Sequence, residues 1–142
     1  MPEAKSFIVS NRDILSQHFN IDEEITFREV PNLIVPVTVS LIGQNEVATF
    51  VQSLNLEKRT DKLSNDISEI LFLQKAFSTS QKESVAIAIT QEPDKRSFSK
   101  QHEIWQQLRN TKDIINYDIS EAQRVIEYAE KHDVRPFLKE EE

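Results

Sequence analysis

One glycine, Gly43, stands in the whole chain of 142 residues, and this scarcity limits what the chain can be. Glycine-rich phosphate loops and dinucleotide-binding turns need several glycines, because their backbone adopts positive φ values and approaches a phosphate closely. The strained turn that carries the nucleophilic serine of α/β-hydrolases has the same requirement. The sequence therefore argues against all of these motifs, and we predict no cofactor.

Cysteine is absent altogether. Its absence excludes a disulfide framework, a thiolate metal site and a cysteine nucleophile, and it fits a reducing compartment. The opening residues are polar and carry no secretory signal, and no apolar run approaches the roughly 18–20 residues that cross a membrane. We therefore expect a cytoplasmic protein without a membrane partner.

Length and charge favour one soluble domain. A chain of 142 residues is within the usual size of a single domain and can bury a core of its own. We assign residues 1–138 to one globular domain and residues 139–142 to an acidic disordered tail. The formal charge of −7 makes nucleic acid and anionic membranes poor default partners.

Alternation of apolar and polar residues predicts three strands. Residues 24–28 form a half-exposed strand, and residues 33–42 form the clearest strand in the chain. Pro36 cannot donate to a ladder, so it places this second strand at a sheet edge or at a bulge, and Gly43 ends it. Val and Ile alternate with Ala over residues 85–89, which predicts the third strand.

Apolar spacings of three and four predict five helices. The first begins at Ser10, after an apolar segment (7–9) that is either a hydrophobic staple or a short strand. The others cover residues 45–54, about 60–77, 99–110 and the segment after Ser120, with one long bent helix over 46–77 as an alternative. The expected fold is α+β, with helices packed as one layer on a small, largely antiparallel sheet of about three strands.

The histidines do not indicate a catalytic or metal site. His18, His102 and His132 fall on three different predicted helices, and no pair has the i, i+4 spacing that brings two imidazoles to one metal ion. No serine stands in a glycine-flanked turn. We predict no catalytic and no metal-binding residue. A small hydrolase-type enzyme with an unrecognised histidine and carboxylate site is kept as an alternative.

A basic segment between residues 95 and 112 is the candidate for binding nucleic acid. It holds five basic side chains and one acid, with aromatic residues between them, and aromatic stacking beside cations is one way in which single strands are bound. The spacing of the tryptophan with nearby apolar residues is also typical of a core position. The candidate contacts are Lys95, Arg96, Lys100, Trp105, Arg109 and Lys112.

Four consecutive apolar residues, 70–73, cover most of the circumference of the predicted helix. A surface helix needs an apolar stripe only a little wider than about 100°. Ile70 and Leu71 can face the sheet while Phe72 and Leu73 point partly away. The apolar side chains that do not face the sheet are covered either within this domain or by a second copy or another protein.

The sequence therefore predicts a non-enzymatic protein that binds, assembles or regulates through protein–protein contacts, with a homo-oligomer as the expected state. A nucleic-acid-binding accessory protein is the second reading. The predicted contact anchors are Leu71, Phe72, Leu73 and Phe77.

Overall fold

A computed structural model describes residues 3–80 and 82–138, and the predicted acidic tail lies outside these residues. The described chain forms one sheet with helices on both of its faces. Its elements are α1 (Glu3–Ser10), α2 (Arg12–Leu15), β1 (Asn20–Ile25), β2 (Val37–Asn45), β3 (Val47–Ser53), α3 (Thr60–Thr79), β4 (Ser84–Thr90), α4 (Ser99–Asn110), β5 (Ile114–Asp118), a 3₁₀ turn (Ile119–Glu121), α5 (Gln123–Lys131) and β6 (Arg135–Pro136).

The sheet is mixed, with strand order β1-β2-β3-β4-β5 and the short β6 beside β2. β2 is antiparallel to β1, β3 and β6, whereas β3, β4 and β5 run parallel to one another. The α+β class is confirmed. The predicted count of about three strands was too low, because the described residues form six strands.

Helices cover both faces of the sheet, so the fold has three layers rather than the predicted pair. β4 shows the division: Ala86 and Ala88 face the core under α3 and α4, while Ile87 and Ile89 face the core under α1, α2 and α5. Successive side chains of a strand point to opposite faces, so the unbroken apolar run over residues 85–89 of β4 contributes to both cores. The small alanines lie on the side of the two crossover helices.

β3 replaces the helix that was predicted over residues 45–54. Residues 48–52 are all buried, because β3 lies inside the sheet and both of its faces are covered. A strand of this kind shows no alternation, and its apolar positions happened to match a helical spacing. Asn45 does not cap a helix: its side-chain amide donates to the carbonyl of His132 at 2.8 Å. Glu46, with φ of 53°, makes the tight turn from β2 to β3.

Pro36 does not place β2 at an edge, so that expectation was wrong. β2 lies between β1 and β3, and Pro36 stands one residue before its first residue, Val37. The missing N–H of a proline at this position costs no ladder hydrogen bond.

Gly43 lies inside β2, paired with Thr49 of β3 and Pro136 of β6, and does not end the strand. A Cβ atom here would clash with the carbonyl oxygen of His18. It would also lie 2.6 Å from Cγ1 of Val134 and 2.8 Å from the carbonyl oxygen of Arg135. The ring of His18 fixes the same joint, because its Nδ1–H donates to the carbonyl of Val134 at 2.8 Å. The chain needs its glycine for this close approach of three segments.

The helices and strands predicted in the second half of the chain agree more closely with the structure. α4 spans the predicted residues, α3 covers the predicted longer helix, and β4 covers the predicted third strand. The last helix begins three residues later than predicted, after the 3₁₀ turn. None of the helices in the described residues has the length and apolar character to cross a membrane.

We predict that Gly43→Ala destabilises the protein by about 1–3 kcal/mol, because the added methyl group meets two backbone carbonyls that cannot move without disturbing the joint. Urea denaturation measures the loss. Glu24→Ala, at an exposed position of β1, serves as the control and is expected to change the free energy of unfolding by about 0.5 kcal/mol or less. Equal stabilities of the two variants would contradict this packing.

Candidate functional site

The predicted contact anchors divide between the core and the surface of α3. Leu73 and Phe77 are 0% and 1% exposed, whereas Leu71 and Phe72 are 46% and 50% exposed. Ile70 and Leu73 face the sheet, instead of the predicted pair Ile70 and Leu71. Of the four predicted contact anchors, Leu71 and Phe72 are therefore the two that lie at the surface.

Leu71 lies in a groove between α3 and α4. The groove has a volume of about 750 Å³, and the apolar part of its lining includes Ile67 and Leu71 from α3 and Ile104 and Leu108 from α4. Gln74 of α3 donates to the carbonyl of Asp113 at 2.7 Å and so links α3 to the segment before β5. The groove is open to solvent at Leu71.

The segment between β1 and β2 adds exposed apolar side chains on the same side of the sheet. Val30 and Leu33 are buried in the core that α3 covers. The Ser80 hydroxyl, at the end of α3, lies within hydrogen-bond distance of the carbonyl of Pro31, at 3.0 Å. From this segment Phe27 is 66% exposed and Ile34 is 93% exposed. Sequence reasoning missed both residues, because it placed them in strands.

The described residues include seven large apolar side chains that are exposed. Two of them lie on α3, and three lie in the segment between β1 and β2, whose buried residues Val30 and Leu33 join the core that α3 covers. Single exposed apolar residues are normal on a protein surface, whereas a concentration of them on one side indicates a contact surface. We call these five residues the α3-side patch: Phe27, Ile34, Val35, Leu71 and Phe72.

The candidate nucleic-acid contacts lie on α4 and on the segments next to it. Lys95 and Arg96 occupy the turn before α4, and this turn is held by Asp94, whose carboxylate accepts from the backbone N–H of Ser97 at 2.8 Å. That hydrogen bond lowers the pKa of Asp94 and keeps it charged. The remaining members are Lys100, Trp105 and Arg109 on α4 and Lys112 after it.

Trp105 and Arg109 form one wall of a polar pocket. The Arg109 guanidinium lies 4.8 Å from the centre of the Trp105 ring. The pocket has a volume of about 290 Å³, and its lining also includes the carboxylates of Glu92, Asp118 and Glu121. The exposed ring face thus has a cation on it already, and three carboxylates beside it oppose a phosphate backbone. Nucleic-acid binding at this segment stays a prediction without a structural observation that favours it.

The three histidines make different local contacts. His18 holds the joint at Gly43, and the ring of His132 packs 4.2 Å from that of Tyr128. His102 is buried, and its Nε2–H donates to the carboxylate of Glu92 at 2.8 Å. Within residues 3–80 and 82–138 there is no group of three or more histidine, aspartate and glutamate side chains that could hold a metal ion.

Gln52 is a buried polar side chain in the middle of the sheet, and its hydrogen bonds are structural. Its amide donates to the carbonyl of Thr38 at 2.9 Å, and its Oε1 accepts from the N–H of Ser40 at 2.9 Å. These bonds continue the pairing of β2 with β3 beyond the last paired residues of the ladder, Leu41 and Val51. Both polar atoms of the Gln52 side chain are therefore hydrogen-bonded within the sheet.

We predict that Leu73→Ala lowers the free energy of unfolding by about 2–5 kcal/mol, because it opens a cavity under α3. Leu71→Ala removes the same atoms from a half-exposed position, and we expect a loss of about 1 kcal/mol or less. Urea denaturation of the two variants separates the core residue from the surface residue. Similar losses of stability for both variants would contradict the orientation of α3, in which Leu73 faces the sheet and Leu71 is half exposed.

No protein-family model, no curated protein and no solved structure matches the chain significantly.

Proposed function

We propose that this chain is a non-enzymatic protein that acts through protein–protein contact, and that the α3-side patch binds the same patch of a second copy. The observation that carries the proposal is that five of the seven exposed large apolar side chains in the described residues belong to α3 or to the segment that packs into the core under α3. A contact between two copies buries these side chains and removes their apolar surface from water.

The composition of the patch suits an interface between identical copies. Its two phenylalanines, Phe27 and Phe72, are at least half exposed, and aromatic residues including phenylalanine are enriched in interfaces relative to the rest of a protein surface. In an interface with two-fold symmetry each residue is used twice, so a small number of anchors contributes on both sides. The groove at Leu71 offers a concave site for a side chain of the other copy.

The test is the molar mass of the purified protein by size-exclusion chromatography with light scattering, over a series of concentrations. The chain has a mass of 16.5 kDa, and we expect a stable multiple of it. Phe72→Asp places a charge in the patch, and we expect it to weaken this contact about 30-fold or more and to lower the measured mass. The circular dichroism spectrum should stay that of the wild type, because Phe72 is outside the core.

Val9→Asp is the matched control. Val9 is an exposed aliphatic residue of α1, on the opposite side of the sheet, and the same new charge there should leave the mass unchanged. A wild-type protein that stays at 16.5 kDa at every concentration overturns the proposal. So does a folded Phe72→Asp variant with the same mass as the wild type.

A further inference from the structure

β5 is an edge strand whose open side lacks the protection that the opposite edge has. In the described sheet β5 pairs with β4 alone, so alternate N–H and C=O groups of β5 point away from the sheet. The opposite edge strand, β1, carries three consecutive acids, residues 22–24, and charges of this kind block pairing between edges. β5 has a charged residue only at its end, Asp118, and its second residue, Ile115, is exposed.

We infer that β5 pairs antiparallel with β5 of a second copy, so that two sheets join into one. The segment from residue 112 to residue 118 is complementary to itself in charge, with Lys112 at one end and Asp118 at the other. In an antiparallel register centred on Ile115, Lys112 of each copy, which lies in the bend two residues before β5, comes next to Asp118 at the end of β5 of the other copy. Opposite charges facing each other across two strands stabilise the pairing, and here the pair occurs twice.

The faces of the two strands agree in this register. Residues that face each other in an antiparallel pair lie on the same side of the sheet, and Ile115 then packs on Ile115 of the second copy. Ile114 stands opposite Asn116, which puts a β-branched residue beside an amide. The remaining acid, Asp113, stands opposite Tyr117 and therefore meets no like charge.

The side chains at the two ends are available for this contact. Lys112 is exposed and forms no salt bridge with the residues that the structure describes. Asp118 uses its Oδ2 to accept from the N–H and the hydroxyl of Ser120, at 2.9 and 2.6 Å, and its Oδ1 accepts no hydrogen bond from residues 3–80 and 82–138. Glu92 and Glu121 line the same pocket as Asp118, and their charges also attract an arriving lysine.

This contact uses a surface separate from the α3-side patch, so it goes beyond the proposed function. Two different self-contacts on one chain produce assemblies larger than a dimer. With both contacts intact the wild-type mass exceeds twice 16.5 kDa, and loss of either contact alone leaves a dimer.

The experiment measures molar mass by light scattering in the Phe72→Asp background, where the β5 contact acts alone. We expect a dimer for Phe72→Asp and a monomer when Lys112→Glu is added, because two attractive pairs become repulsive. Further addition of Asp118→Lys restores opposite charges and should restore the dimer. Each charge reversal should change the dissociation constant about tenfold or more.

A second pair of variants avoids the possible effect of Asp118→Lys on folding. Ile115→Lys sets two lysines against each other at the centre of the register, and added to Phe72→Asp it should also give a monomer. Val9→Lys makes the same chemical change at an exposed residue of α1 and should keep the dimer.

The outcomes separate the two proposals. A Phe72→Asp protein that is already monomeric overturns the β5 contact and leaves the α3-side patch standing. A dimer that neither Lys112→Glu nor Ile115→Lys dissociates also overturns the β5 contact. If Phe72→Asp does not lower the wild-type mass while Ile115→Lys alone gives a monomer, the α3-side patch fails and the β5 contact stands.

Discussion

The parallel pairing of β3 with β4 determines most of what surrounds it. A tight turn cannot join two parallel strands, since the chain has to return to the end of the sheet where the first strand began. α3 makes this return between β3 and β4, and α4 repeats it between β4 and β5. Both helices cover the same core, so one face of each is left to solvent. The exposed side of α3 and the open edge at β5 are therefore two results of one pairing scheme.

The sequence predicted well the elements whose pattern has a single explanation. α4 carries polar residues around a narrow apolar stripe, and β4 shows an unbroken β-branched alternation with alanine. β1, β3 and β5 were misread for three different reasons. β1 carries charges on both faces of an edge strand, β3 is buried on both faces, and β5 is a short strand of five residues with Asp113 before it and Asp118 at its end.

The proposed contact surface was only partly predictable, because periodicity specifies the width of an apolar face but not which way that face is turned. Residues 70–73 held more apolar surface than one face needs, and this much was visible in the sequence. That Ile70 and Leu73 face the sheet, leaving Leu71 and Phe72 outside, depends on where β4 lies below α3. Phe27 and Ile34 escaped notice, since the segments around them resemble strands.

The joint of His18, Gly43 and Val134 has a consequence for the order in which the chain acquires its structure. The hydrogen bond from His18 to Val134 spans 116 residues of sequence, so the two partners leave the ribosome at widely separated times. Closing so long a loop costs more conformational entropy than closing a short one. A nascent chain that ends after α4 carries β2 without β6 and without the segment that packs on Gly43. During synthesis, the central sheet therefore stays open on this side until the last residues of the domain arrive and close it.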